Sequence, residues 1–251
     1  MLTSLLDGRV MAERHGRGQP SVVALHGWGR TSADWNSVLR SEDALALDLP
    51  GHGNTPVPES VWGSDEYAAR VVEAIASQVS TPFTLVGHSF GGRVAVRIAA
   101  AHPELISTLV LTGAPLYRRS APAKPPATFR LVKRLNTAGI VSDAVLDRMR
   151  NKYGSPDYRA TSGIMRSVFV KLVNEDYEES ITKIAQARVA VALVWGERDT
   201  EAPVSVAERI NAAIPGSVLR VVPGSGHLLD AALSGELRSA IAESTASQAR
   251  N

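Results

Sequence analysis

Phe83-Thr84-Leu85-Val86-Gly87-His88-Ser89-Phe90-Gly91-Gly92 is the stretch on which the reading of this chain turns. The run Phe83 to Val86 reads as a buried strand, and an Ala/Val/Ile-rich helix follows from about Arg93 to Ala101. Between them the pattern predicts a sharp strand-to-helix turn that holds a serine hydroxyl out from the chain. Small residues are needed on either side because the turn is tight and the helix passes close to neighbouring strands; Gly87, Gly91 and Gly92 supply that freedom. A five-residue match is a weak sign by itself, so its surroundings decide.

Upstream, Gly8 to Glu13, Val22 to Leu25 and Ala44 to Leu47 read as short strands. Ser64 opens a helix with Asp65 and Glu66 in its first turn and Ala69, Val72, Ile75, Ala76 and Val79 on one face. Downstream, His102-Pro103 stops the helix after the serine turn, and Leu109 to Leu111, Val189 to Trp195 and Val218 to Val222 are further strands. Strands separated by helices call for a parallel sheet covered on both faces. The alternation breaks between about Pro115 and Arg188. That span begins with a Pro-rich stretch, Ser120 to Pro126, and continues with helical segments near 127–137, 142–152, 161–174 and 176–184. Ile164, Val168 and Leu172, with Met165 and Phe169 beside them, make one apolar face. The span reads as a helical insertion, 115–188, between a core made of 1–114 and 189–251, and the tail from Ser244 is expected to fray.

The 251 residues suffice for one large domain, and 44% hydrophobic with 21% charged residues is ordinary for a globular enzyme. A formal charge of +2 and 5% aromatics argue against a nucleic-acid binder. The absence of cysteine excludes disulfides, thiolate catalysis and Cys-ligated zinc. The first residues lack the basic start and long apolar core of a signal peptide, and no run approaches the length of a membrane helix; a cytoplasmic protein is the expectation.

A serine hydroxyl needs a base to take its proton and a third group to orient that base. Histidine suits the role because its ordinary pKa lies nearest working pH. Two later loops fit. Trp195 is followed by Gly196-Glu197-Arg198-Asp199, and Val222 by Pro223-Gly224-Ser225-Gly226-His227. Asp199 and His227 are therefore the candidate acid and base, with Glu197 and Glu201 as nearby rivals for the acid. The oxyanion formed on an attacked carbonyl needs fixed donors, best supplied by main-chain N–H groups. Phe90, just after the serine, and Trp28, in His26-Gly27-Trp28-Gly29 after the strand ending at Leu25, are the candidates.

Taken together, His26-Gly27-Trp28-Gly29, Asp48-Leu49-Pro50-Gly51-His52-Gly53, Gly87-His88-Ser89-Phe90-Gly91-Gly92, Trp195-Gly196-Glu197-Arg198-Asp199 and Gly224-Ser225-Gly226-His227 resemble the α/β-hydrolase superfamily, in family order and over nearly the whole chain. The nearest flavour is the small, helix-capped serine hydrolases and esterases. The resemblance implies an α/β-hydrolase fold with an eight-stranded, mostly parallel sheet, a triad of Ser89, Asp199 and His227, and a helical cap at the insertion. It implies cleavage of small or medium carboxylic esters, with carbon–carbon, thioester or lactone hydrolysis as alternatives on the same triad, and a small-molecule receptor on the same scaffold as the rival of another class. No cofactor is called for. His26 and His88 read as packing or hydrogen-bonding residues, and Asp48 and His52 as stabilisers of their loop. No histidine pair has helical ligand spacing, so no metal is assigned. The acid-free basic residues Arg118, Arg119, Lys124, Arg130, Lys133 and Arg134 read as a solvated helix face, against a competing role in attracting an anionic substrate such as a coenzyme A thioester.

Overall fold

The computed structural model describes residues 1–117, 127–142, 144–146, 148–149 and 156–248. Eight strands form one sheet: β1 (Leu2–Leu5), β2 (Val10–His15), β3 (Val22–Leu25), β4 (Ala44–Asp48), β5 (Phe83–His88), β6 (Ile106–Thr112), β7 (Ala190–Gly196) and β8 (Val218–Val222). Their order is β1-β2-β4-β3-β5-β6-β7-β8. Only β2 runs against its neighbours; from β4 to β8 every pairing is parallel. Parallel strands need crossovers, and helices provide them: α1 (Ser64–Ile75), α2 (Phe90–Ala101), α3 (Ala127–Thr137), α4 (Pro156–Ala160), α5 (Gly163–Val173), α6 (Glu178–Ala187), α7 (Val204–Ala213) and α8 (Ala231–Gln248).

The inner strands β3 to β7 read as near-continuous apolar runs because both faces are covered. Alternate residues divide between two cores. Val23, Leu25, Leu85, Leu193 and Trp195 face one, with α1, α2, α6 and α7 packed over them. Val22, Ala24, Val86 and Val194 face the other, covered by Trp35 and by Leu233, Leu237 and Ile241 of α8. The serine turn thus lies at the end of a strand whose neighbours on both sides are themselves buried.

Three features differ from expectation. β1 was not foreseen: Leu2–Leu5 is a short edge strand with only Leu5 buried, so it lacks the apolar run that marks the others. On α1 the buried residues are Ser64, Tyr67, Ala68, Val71, Ala74 and Ile75; of the expected stripe Ile75 is buried, whereas Ala69 and Ala76 are exposed and Val72 is half-buried. Tyr67 decides this, since its ring is fully buried and its hydroxyl donates to the Pro50 carbonyl at 2.9 Å. Finally, α6 packs against α2, in the layer that covers the sheet. Arg97 of α2 ties it there, donating to Ser180 Oγ at 2.8 Å and to the Asp176 carbonyl at 2.9 Å.

Among the described residues no strand interrupts the helices between β6 and β7. α5 buries Val168 and Leu172, as its apolar stripe predicts, whereas α3 buries no residue. Arg118, Arg119, Lys124, the stretch 120–126 and the last residues of the tail lie outside the described residues, as does part of the helix expected over 142–152.

Candidate active site

Ser89 follows β5 directly and adopts φ 51°, ψ −111°, a conformation that side chains rarely take. Its neighbours hold it there. The Ser89 N–H donates to the Thr112 carbonyl at 3.0 Å, and the Gly91 N–H to the His26 carbonyl at 3.0 Å. The glycines are sterically necessary: a Cβ on Gly87 would lie 2.6 Å from Gly92 Cα, and one on Gly91 would run into the Leu25 carbonyl. Strain of this sort persists only where the surroundings over-determine it.

Asp199 lies on the loop after β7 and is almost wholly buried. Its Oδ1 accepts the main-chain N–H groups of Glu201 at 2.9 Å and Ala202 at 2.8 Å, leaving Oδ2 for a partner. That partner is His227, whose Nδ1 lies 2.8 Å away. On the other side of the ring, Nε2 lies 3.1 Å from Ser89 Oγ. Ser89, Asp199 and His227, expected from three separate loops, are therefore brought together in one hydrogen-bonded line.

The loop carrying His227 is braced from two directions. Glu197 accepts the Gly224 N–H at 2.9 Å, and the Arg198 N–H donates to the Ser225 carbonyl at 2.8 Å. His88 Nε2 lies 2.9 Å from the His227 carbonyl, which can only accept, so His88 carries its proton on Nε2. Burial, reinforced by the nearby His227, lowers the pKa of His88 to about 4, so this ring stays neutral. For His227 burial works to lower the pKa, but the hydrogen bond and charge of Asp199, then Glu201 and Asp157, outweigh it and raise the ring above its ordinary value.

The loop after β3 is fixed by similar means. The Leu49 N–H donates to His26 Nε2 at 3.0 Å, so the ring proton sits on Nδ1 and is donated to the Gly27 carbonyl at 2.7 Å. Burial above all lowers the pKa of His26 to about 3. Asp48 accepts from the Ser32 N–H at 2.7 Å and the Asn54 N–H at 2.9 Å. Burial would raise its pKa, yet these bonds bring it below the usual carboxylate value. His52 stands edge-on to Trp28, with ring centroids 4.8 Å apart. Neither the Trp28 nor the Phe90 main-chain N–H meets an acceptor among the described residues.

A cavity of about 330 Å³ opens at these groups. Trp28, Phe90, Leu116, Phe169, Leu172 and Val206 supply apolar wall, and Arg93, Asp157, Glu175 and Glu201 supply charge. Two contacts had no sequence signal. Glu201 Oε2 lies 3.3 Å from His227 Nε2. Glu175 accepts from the Ser64 N–H at 3.1 Å and from the Tyr177 hydroxyl at 2.8 Å, placing a carboxylate at the N-terminus of α1. Arg130, Lys133 and Arg134 line a separate hollow on α3 that shares no residue with the Ser89 cavity. Among the described residues no cluster of three or more metal-ligating side chains occurs, and no helix is long and apolar enough to cross a membrane.

The profile of the alpha/beta hydrolase family matches residues 22–234. An uncharacterized hydrolase of Bacillus subtilis, YugF, is 29% identical over 84% of this chain and 85% of its own. A pimeloyl-[acyl-carrier protein] methyl ester esterase of Aeromonas hydrophila is 39% identical over 40% of each chain. Among solved structures, the bromoperoxidase from Bacillus anthracis superposes with a TM-score of 0.71 at 21% identity, covering 94% of this chain and 95% of that one.

Proposed function

The chain belongs to the alpha/beta hydrolase family and is a hydrolase, and on that premise we propose that it cleaves small to medium carboxylic esters through a serine nucleophile. In this reading Ser89 attacks the ester carbonyl while His227 Nε2 takes its proton. Asp199 holds the ring in the Nδ1–H tautomer and stabilises the imidazolium that forms. The main-chain N–H groups of Trp28 and Phe90 receive the oxyanion, each contributing a few kcal/mol of barrier reduction. His227 then returns the proton to the departing alcohol. Water, deprotonated by the same nitrogen, attacks the acyl-enzyme and frees the acid and Ser89.

The observation that carries the reading is the line Asp199–His227–Ser89, at 2.8 and 3.1 Å, opening on a cavity whose two adjacent N–H groups lack acceptors among the described residues. The family relationship and the ester-hydrolysing relative support the substrate class. In this reading the insertion supplies the cap through its part before α6, since α6 lies in the layer over the sheet. The described parts that line the cavity are Pro115 to Tyr117, Asp157 and Phe169 to Glu175. Of the six basic residues behind the coenzyme A reading, Arg130, Lys133 and Arg134 line another hollow, and Arg118, Arg119 and Lys124 lie outside the described residues.

A fluorophosphonate should label Ser89 and no other serine, as mapped by mass spectrometry. Ser89→Ala should lower kcat/KM on a p-nitrophenyl ester by roughly four to six orders of magnitude with the fold intact. Unchanged turnover would falsify the assignment. A panel of short esters, acyl thioesters, lactones and a dienoate ketone then ranks the bond types. Tight ligand binding without turnover on any of them points instead to a receptor.

A further inference from the structure

Both ring nitrogens of His227 meet a carboxylate, and both carboxylates come from the loop after β7. Asp199 Oδ2 lies 2.8 Å from Nδ1. Glu201 Oε2 lies 3.3 Å from Nε2, the same nitrogen that stands 3.1 Å from Ser89 Oγ. The Glu201 main-chain N–H is anchored on Asp199 Oδ1 at 2.9 Å, so its side chain starts from a fixed point. The Glu201 side chain lines the cavity and is 63% exposed, free to leave the ring.

The chemistry of Nε2 determines what this contact means. A neutral imidazole protonated on Nδ1 presents a lone pair at Nε2, which accepts a hydroxyl proton and repels a carboxylate. An imidazolium presents an N–H there, and a carboxylate is then a stronger acceptor than a hydroxyl. The Glu201 contact is therefore favourable only when the ring is protonated.

We propose that Glu201 regulates the base of the site: it accepts the Nε2–H of the His227 imidazolium in competition with Ser89 Oγ, and withholds the base until substrate or rising pH frees the ring. The proposal rests on the roles given above to Ser89 and His227. No covalent bond changes; the proton concerned is the one that Nε2 exchanges with Ser89. The other titratable groups acting on His227 are Asp199 on the same loop, Asp157 on α4 and His88 at the end of β5. Asp199 is committed to Nδ1, Asp157 makes no ion pair or hydrogen bond with the ring, and His88 is neutral, so Glu201 is the charge that acts at Nε2.

The test compares wild type, Glu201→Gln and Asp157→Asn. Glutamine preserves the shape and the main-chain N–H, so the fold is not at stake. The His227 imidazole is titrated by NMR, and kcat/KM on a p-nitrophenyl ester is followed against pH. In Glu201→Gln the His227 midpoint and the acid limb should both move down by about half a pH unit or more, giving roughly threefold more activity well below the wild-type limb. Asp157→Asn should move them less. An unmoved midpoint in Glu201→Gln, or an equal shift in Asp157→Asn, overturns the proposal. If Ser89 escapes fluorophosphonate while the NMR midpoint still shifts, the hydrolytic assignment fails and the Glu201–His227 contact stands.

Discussion

The loops at the carboxyl ends of the strands and α3, one of the helices between β6 and β7, are held by opposite means. His26, Asp48, His88 and Asp199 are buried, and each bonds main-chain groups of a loop. By contrast α3 buries nothing, and Leu131 and Ile140 are 58% and 71% exposed. The difference shows where positional accuracy is kept. Ser89, Asp199 and His227 sit on loops at strand ends that the sheet and its buried bonds hold in place. Parts of the insertion with few buried contacts can vary without loss of the fold.

The largest effect that tests this contrast is at Asp199. Asp199→Asn keeps an oxygen for the Glu201 and Ala202 N–H groups but can turn an amide N–H toward Nδ1, favouring the wrong tautomer. Ester kcat/KM should fall about 10⁴-fold with little change in thermal midpoint; a loss below about tenfold in steady-state kinetics contradicts the role given to this residue. Next comes the turn itself. Gly91→Ala drives a methyl into the main chain of Leu25 and His26. It should lower unfolding free energy by about 1–3 kcal/mol in urea titration, and a neutral result means the turn relaxes more readily than its packing suggests.

A smaller effect comes from acid. His26 and His88 stay neutral in the fold down to about pH 3 and 4. In the unfolded chain each takes a proton near pH 6.5. The unfolded state therefore binds more protons through that window, and stability from this source declines as pH falls from about 6.5 toward 4. His227 acts in the other sense: its pKa is raised, so its contribution is full below about 6.5 and is lost as pH rises through the folded value. Urea midpoints at about pH 7 and pH 5 measure the balance, and the two buried rings should make the acid value lower. The smallest effect belongs to α3. Replacing Arg130, Lys133 and Arg134 together by alanine should leave kcat/KM on a neutral ester within about twofold and stability within about 0.5 kcal/mol per site. A large loss of activity shows that α3 takes part in the reaction cycle.

Much of this was legible in the sequence for local reasons. β3 to β7 announce themselves as apolar runs because both of their faces are covered, β8 shows a run although it is an edge strand with only Val222 buried, and Ser89, Asp199 and His227 each follow such a run at short range. β1 escaped because an edge strand with one buried residue has no run to show. The α1 face was misjudged because alanines mark both sides of that helix, and the anchoring of Tyr67 on Pro50 is not a local property. Glu201 was visible only as a rival to Asp199. The two carboxylates differ in which nitrogen they meet, and that depends on where the β8 loop brings the ring.

The sequence by itself determined the order of strands and helices, the small residues at the serine turn and the residue types at the strand ends. These are properties of neighbours in the chain, where apolar runs and steric limits act directly. Only the tertiary structure decided that Asp199 meets Nδ1 and Glu201 meets Nε2, that α6 joins α2 over the sheet, and that the basic helix α3 lines a different hollow. Each of these joins residues far apart in sequence, and the distances between them arise only once the sheet is assembled and both cores are packed.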